Sequence, residues 1–355
     1  MQTKKSLALT ALAGCALLYW ASRPAIIDPL PYQPPAAPAA EGILAPNQRL
    51  KQAELLGVGR IHGPEDVAVD RAGRIYGGTL GGDIMRINRD GRVRVFAHTG
   101  GRPLGLAFNR DGDLLVADAL KGLLSVDSDG KVTTLADSAA GVPLGFTDDV
   151  DVASDGMVYF SDASTRFKIQ DLMLDLMSAR PYGRLIRYDP KSGTTRVLLD
   201  KLYFANGVAV AGDDSFVLVN ETWRFRVRRL WLKGPEAGRS DLFADNLPGF
   251  PDGISGNRGG RFWVAFPAPR NAFMDLISPH PWMKNLLTRL PQGMWPKPPR
   301  LGLVLALDRQ GHITRNLQDP DGEHLQEITS VQEVDGRLYF GSLHNDRIGR
   351  LDLAR

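Results

Sequence analysis

A chain of 355 residues with 43% hydrophobic and 23% charged side chains can bury a large core, which excludes an intrinsically disordered polymer. A net charge of +3, spread thinly along the sequence, excludes nucleic-acid binding through a basic field. Cys15 is the only cysteine, which excludes an intrachain disulfide and any cysteine-based metal site or nucleophile in the globular part.

In chain order, Lys4 and Lys5 precede an uncharged apolar run of sixteen residues, Ser6 to Ala21. Residues 1–27 read as a signal-anchor or signal segment, a hydrophobic helix whose closing Tyr19 and Trp20 sit at a membrane interface where a cleavage site would carry small residues. Lysines on the N-terminal side leave the rest of the chain membrane-anchored on the extracytoplasmic, periplasmic side. The alternatives are secretion, or lipidation at Cys15, because "LAGC" at residues 12–15 resembles a lipoprotein box. Residues 28–46, rich in Pro and Ala, read as a stiff spacer ahead of a folded unit spanning 47–355.

That unit repeats itself. "DVAVDRAGRIYGGT" from Asp66 is followed by "GLAFNRDGDLLVAD", "DVDVASDGMVYFSD", "GVAVAGDDSFVLVNET", "GISGNRGGRFWVAF" and "SVQEVDGRLYFGSL", each an alternating strand, a Gly/Asp turn and a second apolar strand. The 38 glycines and 24 prolines suit so many tight turns. A second hairpin follows most units, so the expected fold is all-β, a six-bladed β-propeller with four-stranded blades. The last unit lacks its fourth strand, and residues 51–57, "KQAELLG", are expected to supply it and close the ring.

The repeat also supplies a coordinate system. If the first strand of each unit lines the central channel, the residues just before those strands share one mouth: Glu65, Leu104, Asp148, Asn206, Asp252 and Thr329. Glu65, Asp148, Asn206 and Asp252 carry oxygen ligands suited to a hard cation, and Ca²⁺ is the ion that takes such ligands in loose geometry. Connections after the second strands lie on the same side. Two of them are long, residues 163–183 and 267–301, with apolar residues at helical spacing (Leu172, Met173, Leu176 and Met177; Met283, Leu286, Leu287 and Leu290). These insertions read as a lid over the mouth, as simple packing on the propeller top, or as membrane contact through Phe273, Trp282 and Trp295.

The motifs "GRPLGLAF", "FTDDVDV", "VYFSDASTRF", "GRLIRYDP", "FANGVAV" and "LPGFPDGI" resemble the strictosidine synthase-like and adipocyte plasma membrane-associated protein-like family, within the gluconolactonase and senescence marker protein superfamily. The resemblance runs from about Gly63 to the C-terminus. It implies a six-bladed propeller with a central Ca²⁺, and by motif it places metal ligands on Glu65, Asn206 and Asp252, with Asp148 and Asp149 at the position of an Asn-Asp pair. The essential Glu of strictosidine synthase would fall on Thr329 or Ser330, so amine–aldehyde condensation is not expected.

The expected function is Ca²⁺-dependent hydrolysis of an ester or lactone, probed by arylesterase and lactonase substrates, with Asp252 first, Asp148 second and Asp149 in support as catalytic carboxylates. The partner is a small apolar ester or lactone, with the membrane engaged by the N-terminal segment. A serine hydrolase is disfavoured because no G-x-S-x-G occurs. The alternative from another class is a membrane-tethered binding or scaffold propeller whose Ca²⁺ is structural. His62, His280, His324 and His344 are further candidate bases near the mouth.

Overall fold

The computed structural model describes residues 24–297 and 299–354. The N-terminal apolar run and Cys15 lie outside them, and among the described residues no helix is long and apolar enough to cross a membrane. The six repeats form six four-stranded antiparallel sheets. Blade 1 is built from Val67–Val69, Ile75–Gly78, Asp83–Ile87 and Val93–His98, and each later blade repeats that order. The first strands pack against those of the adjacent blades around the channel.

Second strands are covered on both faces and read as continuous apolar runs. Leu114–Asp118, Val158–Asp162, Phe216–Glu221 and Phe262–Phe266 are buried at every residue. Fourth strands such as Thr194–Leu202 carry exposed positions. The core is therefore a set of wedges between blades. Ala209, Phe216 and Leu218 of blade 4 meet Ile254, Phe262 and Leu305 of blade 5, for example.

Closure occurs where the sequence predicts it. Glu54–Leu56 pairs antiparallel with Ile348–Asp352, setting Glu54 opposite Arg350 and Leu55 opposite Gly349. Just before this strand, Leu50 is fully buried against Trp263, Val304 and Leu325, so hydrophobic burial clamps the N-terminal segment between blades 5 and 6.

The Pro/Ala-rich stretch read as a spacer is bonded to the molecule along its length. The Leu30 and Tyr32 amides donate to the Ser178 and Ser278 carbonyls at 2.9 and 3.0 Å. Arg270 donates to the Pro35 carbonyl at 2.7 Å, Asn246 to Ala36 at 2.9 Å and Asn316 to Ala45 at 3.0 Å. Residues 27–45 thus form a strap that crosses the helical insertions and descends the side of the propeller.

Leu50→Ala should cost about 2–5 kcal/mol by leaving a cavity in the closing seam. The check is urea unfolding, read as a lower midpoint at unchanged slope.

Candidate functional site

The ring at the channel mouth is made by backbone irregularity at fixed places. In blade 3 the ladder steps from Thr147↔Asp162 to Val150↔Phe160, and in blade 4 from Ala205↔Glu221 to Val208↔Val219. Blades 2 and 6 carry the same extra residue, between Pro103 and Gly105 and between Ile328 and Ser330. A β-bulge re-aims the unpaired side chain, and the bulged positions include Leu104, Asp148, Asn206 and Thr329. Glu65 and Asp252 stand two positions ahead of the first residues of their inner strands, Val67–Val69 and Ile254–Gly256.

The next residue in each blade is squeezed between neighbours. A Cβ on Gly207 would lie 2.4 Å from the Asp252 carbonyl oxygen, and one on Gly105 would lie 2.6 Å from the Asp149 Cα, so glycine lets adjacent inner strands touch. In blades 1 and 3 an aspartate occupies this level. Asp66 accepts from its own blade at Val67 N (2.7 Å) and from blade 2 at Leu106 N (2.8 Å). Asp149 does the same with Val150 N (2.8 Å) and Val208 N (2.7 Å). Asp149 therefore lies one layer below the mouth as an inter-blade staple, with both oxygens engaged by backbone.

Glu65, Asp148, Asn206 and Asp252 converge on the floor of one cavity of about 210 Å³. Desolvation, followed by the charges of Asp252 and Asp148, pushes the Glu65 carboxyl well up. Asp148 is raised by desolvation and then by Asp252 and Asp149. Asp252 is raised to about 7, mainly by desolvation, although the Asn206 side chain hydrogen-bonds it and favours its charge. Arg102, 5% exposed, offers the countercharge to Glu65 and Asp148 and bonds the Gly63 carbonyl at 3.1 Å.

Three carboxylates and an amide against one guanidinium leave a desolvated floor with excess negative charge, made of oxygen donors without imidazole or thiolate. That donor chemistry fits a hard divalent cation of the calcium type. Among the described residues, no three carboxylate, imidazole or thiol groups are drawn together closely enough to hold a metal ion as they stand.

The walls above the floor are apolar: Leu104, Phe146, Phe204, Trp223 and Phe250 from the propeller, with Leu172, Met173, Leu176 and Met274 from the insertions. Helix Leu172–Ser178 packs beside helix Pro281–Thr288, and Met177, Ile277, Leu287 and Trp295 share one cluster with Ile27 of the strap. The insertions thus act as a roof and as packing at once. Trp295 is 8% exposed and donates to the Leu290 carbonyl at 3.0 Å, so it faces inward, contrary to the expectation of membrane contact.

None of His62, His280, His324 and His344 borders the cavity, but Glu327 does, paired with His344 Nδ1 at 2.7 Å. That hydrogen bond raises the His344 pKa. The Thr329 hydroxyl donates to the Glu65 carbonyl at 2.6 Å and offers no acid or base. Residue phase identified the ring but missed Asp66, Arg102 and Glu327. Only Asp66 left a usable signal, as it aligns with Asp149 one residue beyond the ring position.

A strictosidine synthase family model matches residues 148–235, and a strictosidine synthase-like N-terminal model matches residues 42–87. The human (Homo sapiens) adipocyte plasma membrane-associated protein is 36% identical over 352 residues, covering 92% of this chain and 84% of its own. Protein strictosidine synthase-like 6 of Arabidopsis thaliana is 36% identical over 318 residues, 87% of this chain and 84% of its own. Among solved structures, a gluconolactonase of Xanthomonas campestris superposes with a TM-score of 0.62 at 19% identity, covering 93% of this chain and 99% of that one. A calcium-binding regucalcin of Agrobacterium tumefaciens superposes at 0.56 with 14% identity, covering 86% and 93%. At these identities the two structures establish the fold.

One buried carboxylate outside the ring has a measurable signature. Asp175, fully buried under the roof, accepts from Ser164 Oγ at 2.6 Å and Trp223 Nε1 at 2.8 Å, and desolvation raises its pKa to about 6. The folded state holds this proton more tightly than the unfolded chain, so its contribution is greatest at low pH and is lost as pH rises through about 6. Asp175→Asn keeps an acceptor for Trp223, and its stability relative to the parent should improve by up to about 3 kcal/mol between about pH 4 and pH 8. Paired thermal melts across that range check the sign.

Proposed function

The chain belongs to the strictosidine synthase-like and adipocyte plasma membrane-associated protein family, and from that premise we propose that it is a Ca²⁺-dependent hydrolase of apolar esters or lactones. The observation that carries this reading is the floor of Glu65, Asp148, Asn206 and Asp252 beneath a cavity whose walls are mostly apolar. Such a pocket takes a greasy molecule and offers it one polar end. A gluconolactonase and a calcium-binding protein share its propeller fold, which lends support to the choice of ion and reaction class.

Glu65, Asp148, Asn206 and Asp252 would hold the cation. Bound there, Ca²⁺ supplies Lewis acidity and electrostatic stabilisation toward an acyl oxygen. The residues do the rest. The aromatic wall of Phe146, Phe204, Trp223 and Phe250 orients the apolar group and excludes bulk water. Asn206 holds the Asp252 side chain by hydrogen bonding. Asp252 takes the proton of the attacking water, with Asp148 the second choice for that role, while Asp149 fixes the inner strands beneath them. Hydrolysis then forms the bond from water oxygen to acyl carbon, breaks the bond to the leaving oxygen and returns a proton to it.

A membrane-tethered binding propeller with a structural Ca²⁺ is the second reading. The favouring observation is that His62, His280, His324 and His344 all lie off the cavity, so the role of base falls to a carboxylate, of the floor or of Glu327. In either case the signal-anchor segment, residues 1–27, would tether the chain to a membrane with the propeller on the extracytoplasmic side.

Full-length protein with Ca²⁺ should cleave phenyl acetate or a γ-lactone, lose turnover with chelator and regain it on Ca²⁺ addition. Asp252→Asn should lower kcat by about 10²-fold or more while circular dichroism stays unchanged. Folded protein shown by elemental analysis to contain Ca²⁺, yet inert across an ester panel, would establish the binding reading instead.

A further inference from the structure

We propose that the roof of the cavity is a bilayer-docking surface, so that the propeller rests mouth-down on the membrane. Six of the thirteen large exposed apolar side chains among the described residues gather there: Ile26, Phe273, Leu276, Trp282, Leu286 and Met294 are 41–66% exposed. Phe273 and Leu276 sit at i, i+3 on helix Ala272–Ile277, and Trp282 and Leu286 at i, i+4 on helix Pro281–Thr288. Each pair forms an outward stripe, while Ile277 and Leu287 of the same helices face the interior. Leu80 and Leu120, about half exposed, follow the second strands of blades 1 and 2 and lie on the same mouth side.

The occupant is identified by where the chain leaves the molecule. Ile27 is buried against Met177, Ile277, Leu287 and Trp295 in the roof itself. Five residues separate it from Ala21, the end of the uncharged apolar run, and the six Cα-to-Cα steps between them reach at most about 20 Å. The most lipophilic segment of the sequence is therefore tied to the same face as the exposed stripe. An apolar face with Trp282 at its surface suits the headgroup boundary.

Charge agrees with this. Between residues 267 and 301 the cations are Arg270, Lys284, Arg289, Lys297 and Arg300, and the one acid, Asp275, is paired with Arg270 at 3.0 Å. Lys297 and Arg300, in the same insertion, are exposed and available to anionic headgroups. This docking does not depend on the hydrolase reading. If that reading holds as well, an apolar ester reaches the cavity from the acyl phase.

The test uses the full chain with Cys15→Ser and one introduced cysteine, Trp282→Cys in the stripe or Asp111→Cys in the turn joining the first two strands of blade 2, on the face opposite the mouth. Each carries an environment-sensitive fluorophore and is reconstituted in vesicles of phosphatidylcholine and phosphatidylglycerol in equal parts. Quenching by spin-labelled lipid should be several-fold greater at position 282 than at 111. Adding Leu276→Asp and Leu286→Asp should remove that difference while the protein still floats with the vesicles through its N-terminus. Equal quenching at both positions overturns the proposal. So does shielding of position 282 that appears without lipid and rises with protein concentration, because a second copy of the chain then covers the face.

Discussion

Six inner strands must approach one another around a channel too narrow for side chains at every level, and the rest of the site follows from that crowding. Where Gly207 or Gly105 stands, adjacent backbones come close enough that a Cβ would overlap its neighbour. Where Asp66 or Asp149 stands, the side chain bridges to an N–H of the following blade instead. Both solutions leave the residue one step nearer the mouth outside the regular ladder. That step is where the bulges of blades 3 and 4 deliver Asp148 and Asn206. The acidic ring is thus a product of closing the propeller, positioned by strand geometry that is stiff for reasons unrelated to chemistry.

The same closure creates the electrostatic problem. Glu65 and Asp148 are 7% and 4% exposed, in a place where like charges reinforce one another and water is scarce, so both carboxyls are pushed upward. Arg102 answers part of this charge, held by its backbone N–H on Asp118 (3.0 Å) and by the Gly63 carbonyl. One buried guanidinium against three carboxylates leaves a deficit of positive charge. A fold that keeps such a deficit at the base of an apolar cavity maintains it against a standing cost in stability.

Repetition explains how much of this was legible in the sequence. Six copies of one hairpin pattern reveal the blade count, the missing fourth strand and the phase at which Glu65, Asp148, Asn206 and Asp252 meet. Each inference needs only that equivalent residues occupy equivalent places. Features that break the repeat left no such trace. Arg102 stands two residues ahead of Leu104 in a single blade, and nothing at that spacing announces a buried cation. Glu327 lies outside the register of the other blades and borders the cavity from a residue whose backbone adopts φ 49°. The contact between the two insertions, residues 163–183 and 267–301, joins parts of the chain about a hundred residues apart, and helical spacing gave their amphipathic faces without saying that they meet each other. The strap was opaque for a different reason: Pro- and Ala-rich composition describes stiffness and says nothing about what a stiff segment lies on.

The roof combines two kinds of contact that do different work. Its apolar cluster, Ile27, Met177, Ile277, Leu287 and Trp295, contributes most of the burial, but hydrophobic contact is non-directional and tolerates sliding. Register comes from buried polar groups at the joints. Asp175 ties the first insertion to Trp223 of the propeller, Lys284 ties the second insertion to the Leu30 carbonyl of the strap, and Arg224 stacks between Tyr32 and Tyr203 at 3.9 and 3.5 Å. Burial drives the Lys284 pKa down to about 8, the mark of a cation held with little solvation. Each joint gives back much of its interaction energy as desolvation, so its net contribution to stability is small while its geometric demand is strict. A roof assembled this way keeps its helices in one register over the acidic floor, and the strap that supplies two of the three joints leads directly to the lipophilic segment of the chain. The position of the roof and the point from which the apolar N-terminal run departs are consequently one structural property.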